Sequence, residues 1–321
     1  MSPAASGKSA PRFSFEEILY EKKDGIARVT INRPAAYNAL TAGTLREMIA
    51  AFRDAAWDDA VAVVVLTGAG EKAFCAGGDA SEFSSEFLKR PRNYWKWQGL
   101  LYEALDLFRH VGKPTIARIN GAVAGGGNGW NLAADLAIAA DHARFNQSGT
   151  SLGLVDAAGS TQWLPLLVGE RRARAMLLTG EEVTAEQALE WGLVNQVVPY
   201  RQLDRAVNAL ARKLTQKFPA SMRYTREQLG FWKDLAWAMT AGHAREWLAV
   251  HAASWEPFEG VQAFVEKRPP DVRAIRERAT RGGSGELLWG ASTRTCGECG
   301  AKGIPEMFDY CGKCGSKLKW R

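Results

Sequence analysis

A glycine-rich turn between a buried strand and a helix is the feature that most restricts the fold of this chain. Residues 115–119 form a short run rich in β-branched residues and predict a buried strand, three glycines follow at 125–127, and apolar residues at 130–138 resume at helical spacing. Glycines let a ligand approach the backbone, and the first N–H groups of a helix have no intrahelical partner. The turn therefore predicts a site for a phosphate, a carboxylate or an oxyanion.

A second stretch offers another group of exposed backbone donors. Residues 62–67 predict a buried strand, and a short turn leads to Cys-Ala-Gly-Gly-Asp at 75–79. Two such turns on neighbouring strands are able to hold one oxygen between them. The two motifs resemble those of the crotonase (enoyl-CoA hydratase/isomerase) superfamily, and the resemblance covers residues 17–270. It implies that Gly78 and Gly126 donate their N–H groups to the thioester carbonyl of an acyl-CoA.

The order of elements agrees with that resemblance. A predicted hairpin at 18–32 precedes a helical pattern, and this ββα unit recurs with the strands at 62–67 and 114–119. The resemblance implies an α/β fold, the crotonase (ClpP-like) spiral of ββα turns. Residues 202–270 are predicted to be almost wholly helical, and in crotonases this region assembles trimers or hexamers.

The segment at 80–112 mixes polar and aromatic residues. Its first half carries Arg-Pro-Arg at 90–92 and three aromatic residues, Tyr94, Trp95 and Trp97. We predict that this half is a mobile loop over the acyl pocket and that the second half is helical.

Length and charge limit the remaining possibilities. With 321 residues and 46% hydrophobic content, the chain is able to hold one large domain and a small module. No apolar run approaches the roughly 20 residues of a membrane span, so we predict a cytoplasmic protein without membrane contact. The net charge is +6, and residues 267–321 carry 12 basic and 6 acidic groups. The body is therefore close to neutral, and nucleic-acid binding is not expected.

Both ends of the chain differ from the body. Small polar residues at 1–16 predict a disordered leader, and a charged, glycine-rich run at 271–294 predicts a flexible linker. Residues 295–321 hold a C-x2-C, 11-residue gap, C-x2-C array formed by Cys296, Cys299, Cys311 and Cys314. Such spacing predicts a small zinc ribbon with four thiolate ligands.

Other readings of the cysteines remain. A rubredoxin-like iron site is the main rival, and a disulfide framework is disfavoured in a cytoplasmic chain. Cys75 is the fifth cysteine and is predicted to be a buried packing residue. The basic surplus of the tail predicts an acidic protein partner or the CoA phosphates of an adjacent subunit as its contact.

The acid/base residues of an ordinary hydratase are absent. The resemblance places that enzyme's two glutamates at Gly129 and Gly149, which cannot transfer protons, so hydration by the two-glutamate mechanism is not expected. Asp156 lies in the same neighbourhood. Its surroundings resemble the subgroup of 1,4-dihydroxy-2-naphthoyl-CoA synthase and 2-ketocyclohexanecarboxyl-CoA hydrolase, which carry an aspartate at this position. The alternative is that Asp156 only satisfies backbone N–H groups near the helix predicted at Ser160.

The same subgroup implies further contacts and shows two departures. In some synthases a bound bicarbonate replaces the missing carboxylate, and Gln147 and Gly149 fit that pattern. The subgroup's serine and tyrosine are replaced by Leu154 and by Ala252 or a neighbour of Ala252, which indicates a different substrate. The substrate-contacting residues predicted on this basis are Ala76, Asn128, Trp130, Gln147 and Gly149.

These observations predict an enzyme that stabilises a thioester enolate. The chemistry we favour makes or breaks a carbon–carbon bond in a cyclic oxo-acyl-CoA, with Asp156 moving the proton. The first alternative is hydration or isomerisation of an enoyl-CoA by a single acid/base, and the second is a scaffold that binds acyl-CoA without turnover. The sequence does not identify the acyl group.

Overall fold

The computed structural model describes residues 14–88, 90–287, 293–305 and 307–318. Almost all of the predicted leader at 1–16 therefore lies outside the described residues. No helix in the described part of the chain is both long and apolar enough to cross a bilayer.

Two parallel-rich sheets form the framework. The larger has the order β1-β2-β3-β5-β7-β10 and is parallel except for the β1–β2 hairpin, and the smaller has the order β4-β6-β8-β9 with only β9 antiparallel. A further pair, β11 and β12, lies near the C-terminus. The strands are β1 (Ile18–Lys23), β2 (Ile26–Ile31), β3 (Val63–Gly68), β4 (Ala73–Cys75), β5 (Thr115–Ile119), β6 (Ala122–Ala124), β7 (Leu136–Ala140), β8 (Arg144–Asn146), β9 (Val183–Thr184), β10 (Gln196–Val198), β11 (Thr293–Arg294) and β12 (Ile304–Pro305).

Helices follow the strand pairs and then dominate the C-terminal third of the body. They are α1 (Ala42–Trp57), α2 (Ala80–Glu82), α3 (Pro91–Arg109), α4 (Gly126–Ala133), α5 (Ser160–Val168), α6 (Glu170–Thr179), α7 (Ala185–Glu190), α8 (Leu203–Thr215), α9 (Pro219–His251), α10 (Trp255–Val265) and α11 (Val272–Thr280). The predicted α/β crotonase fold with helices over 202–270 is confirmed.

The larger sheet is covered on both faces, which explains why its central strands are largely apolar. All residues of β3 and β5 are buried. On one face Val207 and Ala211 of α8 pack against Val63, Ile116 and Ile138. On the other face α1, α3 and α4 form the main core with the sheet. Parallel strands buried on both faces read as near-continuous apolar runs, and the charged exception here, Arg118 of β5, pairs with Asp204 of α8.

The predicted mobile loop over the acyl pocket is wrong in its geometry. Residues 80–82 form α2, residues 83–87 form a π-helical turn, and α3 begins at Pro91. Proline is tolerated at the first helical position because its missing N–H has no intrahelical partner there, so the Arg-Pro-Arg sequence starts a helix. The aromatic residues predicted to lie on a loop are therefore held by helical backbone.

The predicted linker at 271–294 also contains ordered structure. Asp271 accepts a hydrogen bond from Ala274 N–H (2.8 Å) and is the N-cap of α11. Trp255 N–H donates to the Gly285 carbonyl (3.0 Å), and Leu287 N–H donates to the Ala253 carbonyl (2.9 Å). The chain is thus tied to the body as far as residue 287.

Candidate active site

Two glycine N–H groups face one cavity. Gly126 is the first residue of α4, so its N–H has no intrahelical acceptor. Gly78 follows β4 in a loop where Leu40 N–H donates to the Gly77 carbonyl (2.8 Å) and Asp79 N–H donates to the Leu40 carbonyl (3.1 Å). Within the described residues, neither Gly78 nor Gly126 donates its N–H to a protein acceptor. Both line a cavity of about 730 Å³, within the usual size range of a small-molecule site.

Glycine at 77 brings the two donors together. Its φ of 89° is in the left-handed region, and a Cβ there would lie 3.0 Å from both Gly126 N and the Ala124 carbonyl oxygen. Any side chain at this position would push the two turns apart. The backbone segments touch because no side chain separates them.

The loop that carries Gly78 is fixed by a charged pair. Asp79 accepts hydrogen bonds from Ser81 N–H (3.0 Å) and Glu82 N–H (3.1 Å), and an Arg33 nitrogen lies 2.9 Å from its carboxylate. Burial raises the pKa of Asp79, but these hydrogen bonds and the Arg33 charge lower it more, so the net shift is downward. Asp79 therefore stays ionised and holds the start of α2.

Aromatic side chains form one wall of the cavity. Tyr94, Phe87 and Trp97 form a triangle of rings, with the Tyr94 centroid 5.4 Å from Phe87 and 6.1 Å from Trp97, and Phe83 meets Tyr94 edge-on at 4.9 Å. The Trp97 ring covers Gly78, where a Cβ would lie only 3.2 Å from a ring carbon. Of the three aromatic residues predicted on the loop, Tyr94 and Trp97 line the cavity. The third, Trp95, faces Arg245, whose guanidinium lies 3.5 Å above its ring.

Asp156 occupies the space that a side chain at position 149 would fill. A Cβ on Gly149 would lie 2.6 Å from the Asp156 carboxyl carbon, and both residues line the cavity. Oδ2 of Asp156 is buried and has no partner among the described residues. Burial raises the pKa of Asp156 to about 6, although a hydrogen bond from Gly149 N–H acts in the opposite direction. A carboxyl group that titrates near neutral pH is suited to proton transfer.

Gln147 and the bicarbonate site predicted with it do not fit this geometry. Gln147 is fully buried, and its Nε2 donates to Ser160 Oγ (2.6 Å). The space in front of Gly149 is taken by the Asp156 carboxyl, and a second anion there would be repelled. Bicarbonate is therefore not assigned a place at this site.

Asn128 and Trp130 lie behind the glycine turn and not in the cavity wall. Trp130 is fully buried, with its ring against Phe52 and Phe108 at 5.9 Å, so the prediction that it contacts substrate is wrong in its geometry. Asn128 is also fully buried and accepts a hydrogen bond from Asn131 (3.2 Å). Helical spacing alone did not show that these positions point into the core.

Ala76, Gly129 and Cys75 complete the predicted positions around the two turns. Ala76 lines the cavity, and its N–H donates to the Tyr37 carbonyl (3.1 Å). A Cβ at Gly129 would lie 2.2 Å from the Ala158 carbonyl oxygen, so the backbone leaves no room there for a glutamate. Cys75 is buried, and burial raises its pKa to about 12, as expected for a packing residue.

A second cluster gathers the four cysteines of the tail. Sγ of Cys296 lies 3.7 Å from Sγ of Cys314, and Sγ of Cys299 lies 3.6 Å from Sγ of Cys311. All four sulfur atoms are within 4.8 Å of one another. Zn–S bonds of about 2.3 Å in a tetrahedron place sulfurs about 3.8 Å apart, so the donor set and its spacing fit zinc.

Sequence reasoning placed Tyr94 on a loop over the acyl pocket but missed Gln98 and the polar pair that the two residues form. Tyr94 and Gln98 are buried on α3, and Gln98 Nε2 donates to the Tyr94 hydroxyl (2.7 Å). Their i,i+4 spacing would have signalled this pair had α3 been predicted to begin at Pro91.

Comparison with known proteins agrees with the fold. An enoyl-CoA hydratase from Bacillus anthracis is 31% identical, covering 79% of this chain and 98% of that chain with a TM-score of 0.65. DspI from Pseudomonas aeruginosa is 34% identical, and the match covers 82% of this chain and 99% of that chain with a TM-score of 0.66. An enoyl-CoA hydratase from Mycobacterium avium subsp. paratuberculosis is 26% identical, covering 80% and 99% with a TM-score of 0.73. The sequence profile described as enoyl-CoA hydratase/isomerase matches residues 21–274, which end before the four cysteines. The chain therefore belongs to the enoyl-CoA hydratase/isomerase family.

Proposed function

We propose that this enzyme cleaves a carbon–carbon bond in a cyclic oxo-acyl-CoA through a thioester enolate. The observation that carries the proposal is the placement of the Asp156 carboxyl in the same cavity as the unpaired N–H groups of Gly78 and Gly126. Two N–H donors stabilise the negative oxygen of an enolate, and removal of one such donor typically costs about 2.7 to 4 kcal/mol. A base beside them supplies the proton transfer.

The residues at the two glutamate positions favour this chemistry over ordinary hydration. Position 129 has no space for a side chain, and the space at position 149 is used by Asp156. One carboxyl group is thus available where hydratases are expected to use two. A single base is enough for a reaction in which the same proton is removed from water and returned to carbon.

The proposed step conserves atoms and electrons. Asp156 accepts a proton from water, and the water oxygen adds to the ring ketone. The bond between the ketone carbon and the α carbon then breaks, and its electron pair forms the thioester enolate held by Gly78 and Gly126. The proton on Asp156 passes to the α carbon. The products are a carboxylic acid and a thioester within one opened chain.

Two other functions compete with this one. The names of two solved relatives favour hydration of an enoyl-CoA, and the description of the matching family adds isomerisation. Asp156 would be the single acid/base in either reaction. A scaffold that binds acyl-CoA without turnover is favoured only by the two missing glutamates.

Incubation with a panel of cyclic and linear enoyl- and oxo-acyl-CoA thioesters, followed by mass spectrometry, separates the three functions. Ring opening adds 18 mass units to the cyclic oxo-acyl-CoA. Addition of water to linear enoyl-CoA alone would overturn the proposal, and unchanged thioesters throughout would favour the scaffold.

The Gly126 N–H is testable because proline fits at that position. Gly126 is the first residue of α4, and a Cβ there would have 3.8 Å to its nearest neighbours. We expect Gly126→Pro to lower kcat by about 10²- to 10³-fold because one oxyanion donor is lost. Gly126→Ala is the matched control, since it adds a Cβ but keeps the N–H. Equal kcat values for the two folded variants would remove this N–H from the mechanism.

Asp156 is tested by substitution and by pH. Asp156→Asn should reduce turnover by about 10²-fold or more while acyl-CoA binding, measured by calorimetry, persists. In the unaltered enzyme kcat/KM should fall as pH drops through about 6, because the base must be ionised and burial has raised its pKa to that value. The exposed Asp59→Asn serves as the control. Normal turnover in Asp156→Asn, or a pH profile without the acidic fall, would leave Asp156 with a structural role.

We also propose that the tail is a structural zinc ribbon. Binding of zinc to four cysteines would supply the folding free energy of this short segment. The exposed Lys302, Lys313 and Lys317 give it a basic surface suited to an acidic partner.

Metal analysis tests the ribbon. We expect one zinc per chain in the unaltered protein and in Cys75→Ala, and none in the double variant Cys311→Ser/Cys314→Ser. A chain ending at Leu287 keeps the ordered contacts of the body and should retain turnover without zinc. Iron in place of zinc would identify a rubredoxin-like site. Loss of turnover in the shortened chain, at an unchanged oligomeric state, would place the tail at the active site.

We also propose that the chain assembles into a trimer or hexamer, and exposed apolar residues on α9 support this. These residues include Leu229 (77% exposed), Trp232 (66%), Met239 (74%) and Val250 (75%). Several large exposed apolar side chains on one long helix are typical of a protein interface.

Solution mass tests the assembly. Trp232→Lys combined with Met239→Lys should reduce the mass measured by analytical ultracentrifugation, because two charges would be buried without partners. The exposed Trp57→Lys on α1 is the control. A monomer in the unaltered protein, or an unchanged oligomer in the double variant, would contradict this assignment.

A further inference from the structure

The acyl cavity contains a buried pair of polar side chains that the proposed mechanism does not yet use. Tyr94 and Gln98 are 5% and 4% exposed and line the same cavity as Asp156. Gln98 Nε2 donates to the Tyr94 hydroxyl (2.7 Å), while Gln98 Oε1 is buried and has no partner among the described residues. Buried amide oxygens are usually satisfied, so an unpartnered one beside a cavity indicates a group supplied by a ligand.

The pair has one donor and one acceptor that the described residues leave unused. The Tyr94 hydroxyl accepts from Gln98 and still has its own hydrogen to donate, and Gln98 Oε1 still accepts. If the Gln98 amide is rotated by 180°, the donor and acceptor roles are exchanged. The Tyr94 hydroxyl then donates to Gln98 Oε1 and accepts from the ligand, and Gln98 Nε2 donates to the ligand. Either arrangement complements a ligand oxygen that accepts one hydrogen bond and carries or adjoins a hydroxyl.

The Tyr94 hydroxyl remains a donor at neutral pH. Burial raises the pKa of Tyr94 above its ordinary value, and the nearby Asp156 carboxylate adds to this effect, although the hydrogen bond from Gln98 acts against it. The ring itself packs against Phe83, Phe87 and Trp97. A fixed, protonated phenol is suited to hold an oxygen that becomes negative during a reaction.

We infer that Tyr94 and Gln98 bind a second oxygen of the acyl group, and that the substrates are CoA thioesters whose acyl ring carries a ketone. This inference rests on the proposed function, in which water adds to that ketone. The ketone oxygen accepts a hydrogen bond from Tyr94. After water has added, the former ketone oxygen is negative and the added hydroxyl is a donor, so both Tyr94 and Gln98 are satisfied. The Gly78 and Gly126 donors hold the thioester oxygen of the same molecule.

Affinity for two matched thioesters tests this recognition. 2-Oxocyclohexanecarboxyl-CoA carries the ring ketone and cyclohexanecarboxyl-CoA lacks it, so their dissociation constants isolate the second oxygen. All variants are compared by calorimetry in the Asp156→Asn background, which prevents turnover. We expect Tyr94→Phe to weaken binding of the oxo compound about fivefold to tenfold and to change binding of the ring-only compound less than twofold. Gln98→Leu should act in the same direction.

Tyr102→Phe is the control for removal of a buried phenol from α3. Tyr102 is 8% exposed and packs against Trp237, with ring centroids 4.7 Å apart, outside the set of residues that line the acyl cavity. Its substitution should change neither dissociation constant. Equal weakening of both thioesters by Tyr94→Phe, or no weakening of either, would overturn the inference.

The outcome is separable from that of the proposed function. Selective loss of affinity in Tyr94→Phe without ring opening by the unaltered enzyme would support the oxygen site and reject the cleavage reaction. Ring opening that Tyr94→Phe and Gln98→Leu leave unchanged, together with unchanged affinities, would reject the oxygen site and support the reaction. Near-ultraviolet circular dichroism shows whether each variant keeps the native packing of its aromatic residues.

Discussion

The direct contact between the backbones of two glycine turns is the constraint on which the rest of this structure depends. A Cβ at Gly127 would lie 2.0 Å from the Cys75 carbonyl oxygen, and one at Gly121 would lie 2.5 Å from the Glu71 carbonyl oxygen. The strands β4 and β6 and the start of α4 are therefore packed backbone against backbone. Only this close approach sets the N–H groups of Gly78 and Gly126 against a common space.

Burial then determines how strongly such groups act. The Trp97 ring covers Gly78, and aromatic rings form the adjacent wall, so water is restricted around the donors. Hydrogen bonds in a low-dielectric setting are stronger, and an unpaired polar group there is costly. The same setting raises the pKa of Asp156 to about 6. The site therefore contains polar groups without hydrogen-bond partners, which a thioester of the correct shape would satisfy.

The position of the Asp156 carboxyl depends on the absence of a side chain at both expected glutamate positions. Position 129 faces the Ala158 carbonyl oxygen and has no room for a side chain. Gly149 has no side chain, and the carboxyl group of Asp156, from the following loop, occupies the space where a Cβ at position 149 would lie. The glycine and the aspartate therefore act as a unit, since a side chain on the first would displace the second. Chemistry at such a site is decided by which residue reaches the space and not by which position carries the carboxylate.

The sequence by itself determined the ββα framework, the two donor turns and the cysteine cluster. Strands β3 and β5 read as largely apolar runs, the glycines at 125–127 marked a turn, and the cysteine spacing marked a four-cysteine cluster, because each signal is local. Tertiary structure alone decided that Trp130 enters the core, that Asp156 fills the space at Gly149, and that Tyr94 and Gln98 face the cavity. These outcomes depend on which helix face meets which loop, and that pairing is set by packing between segments far apart in the chain.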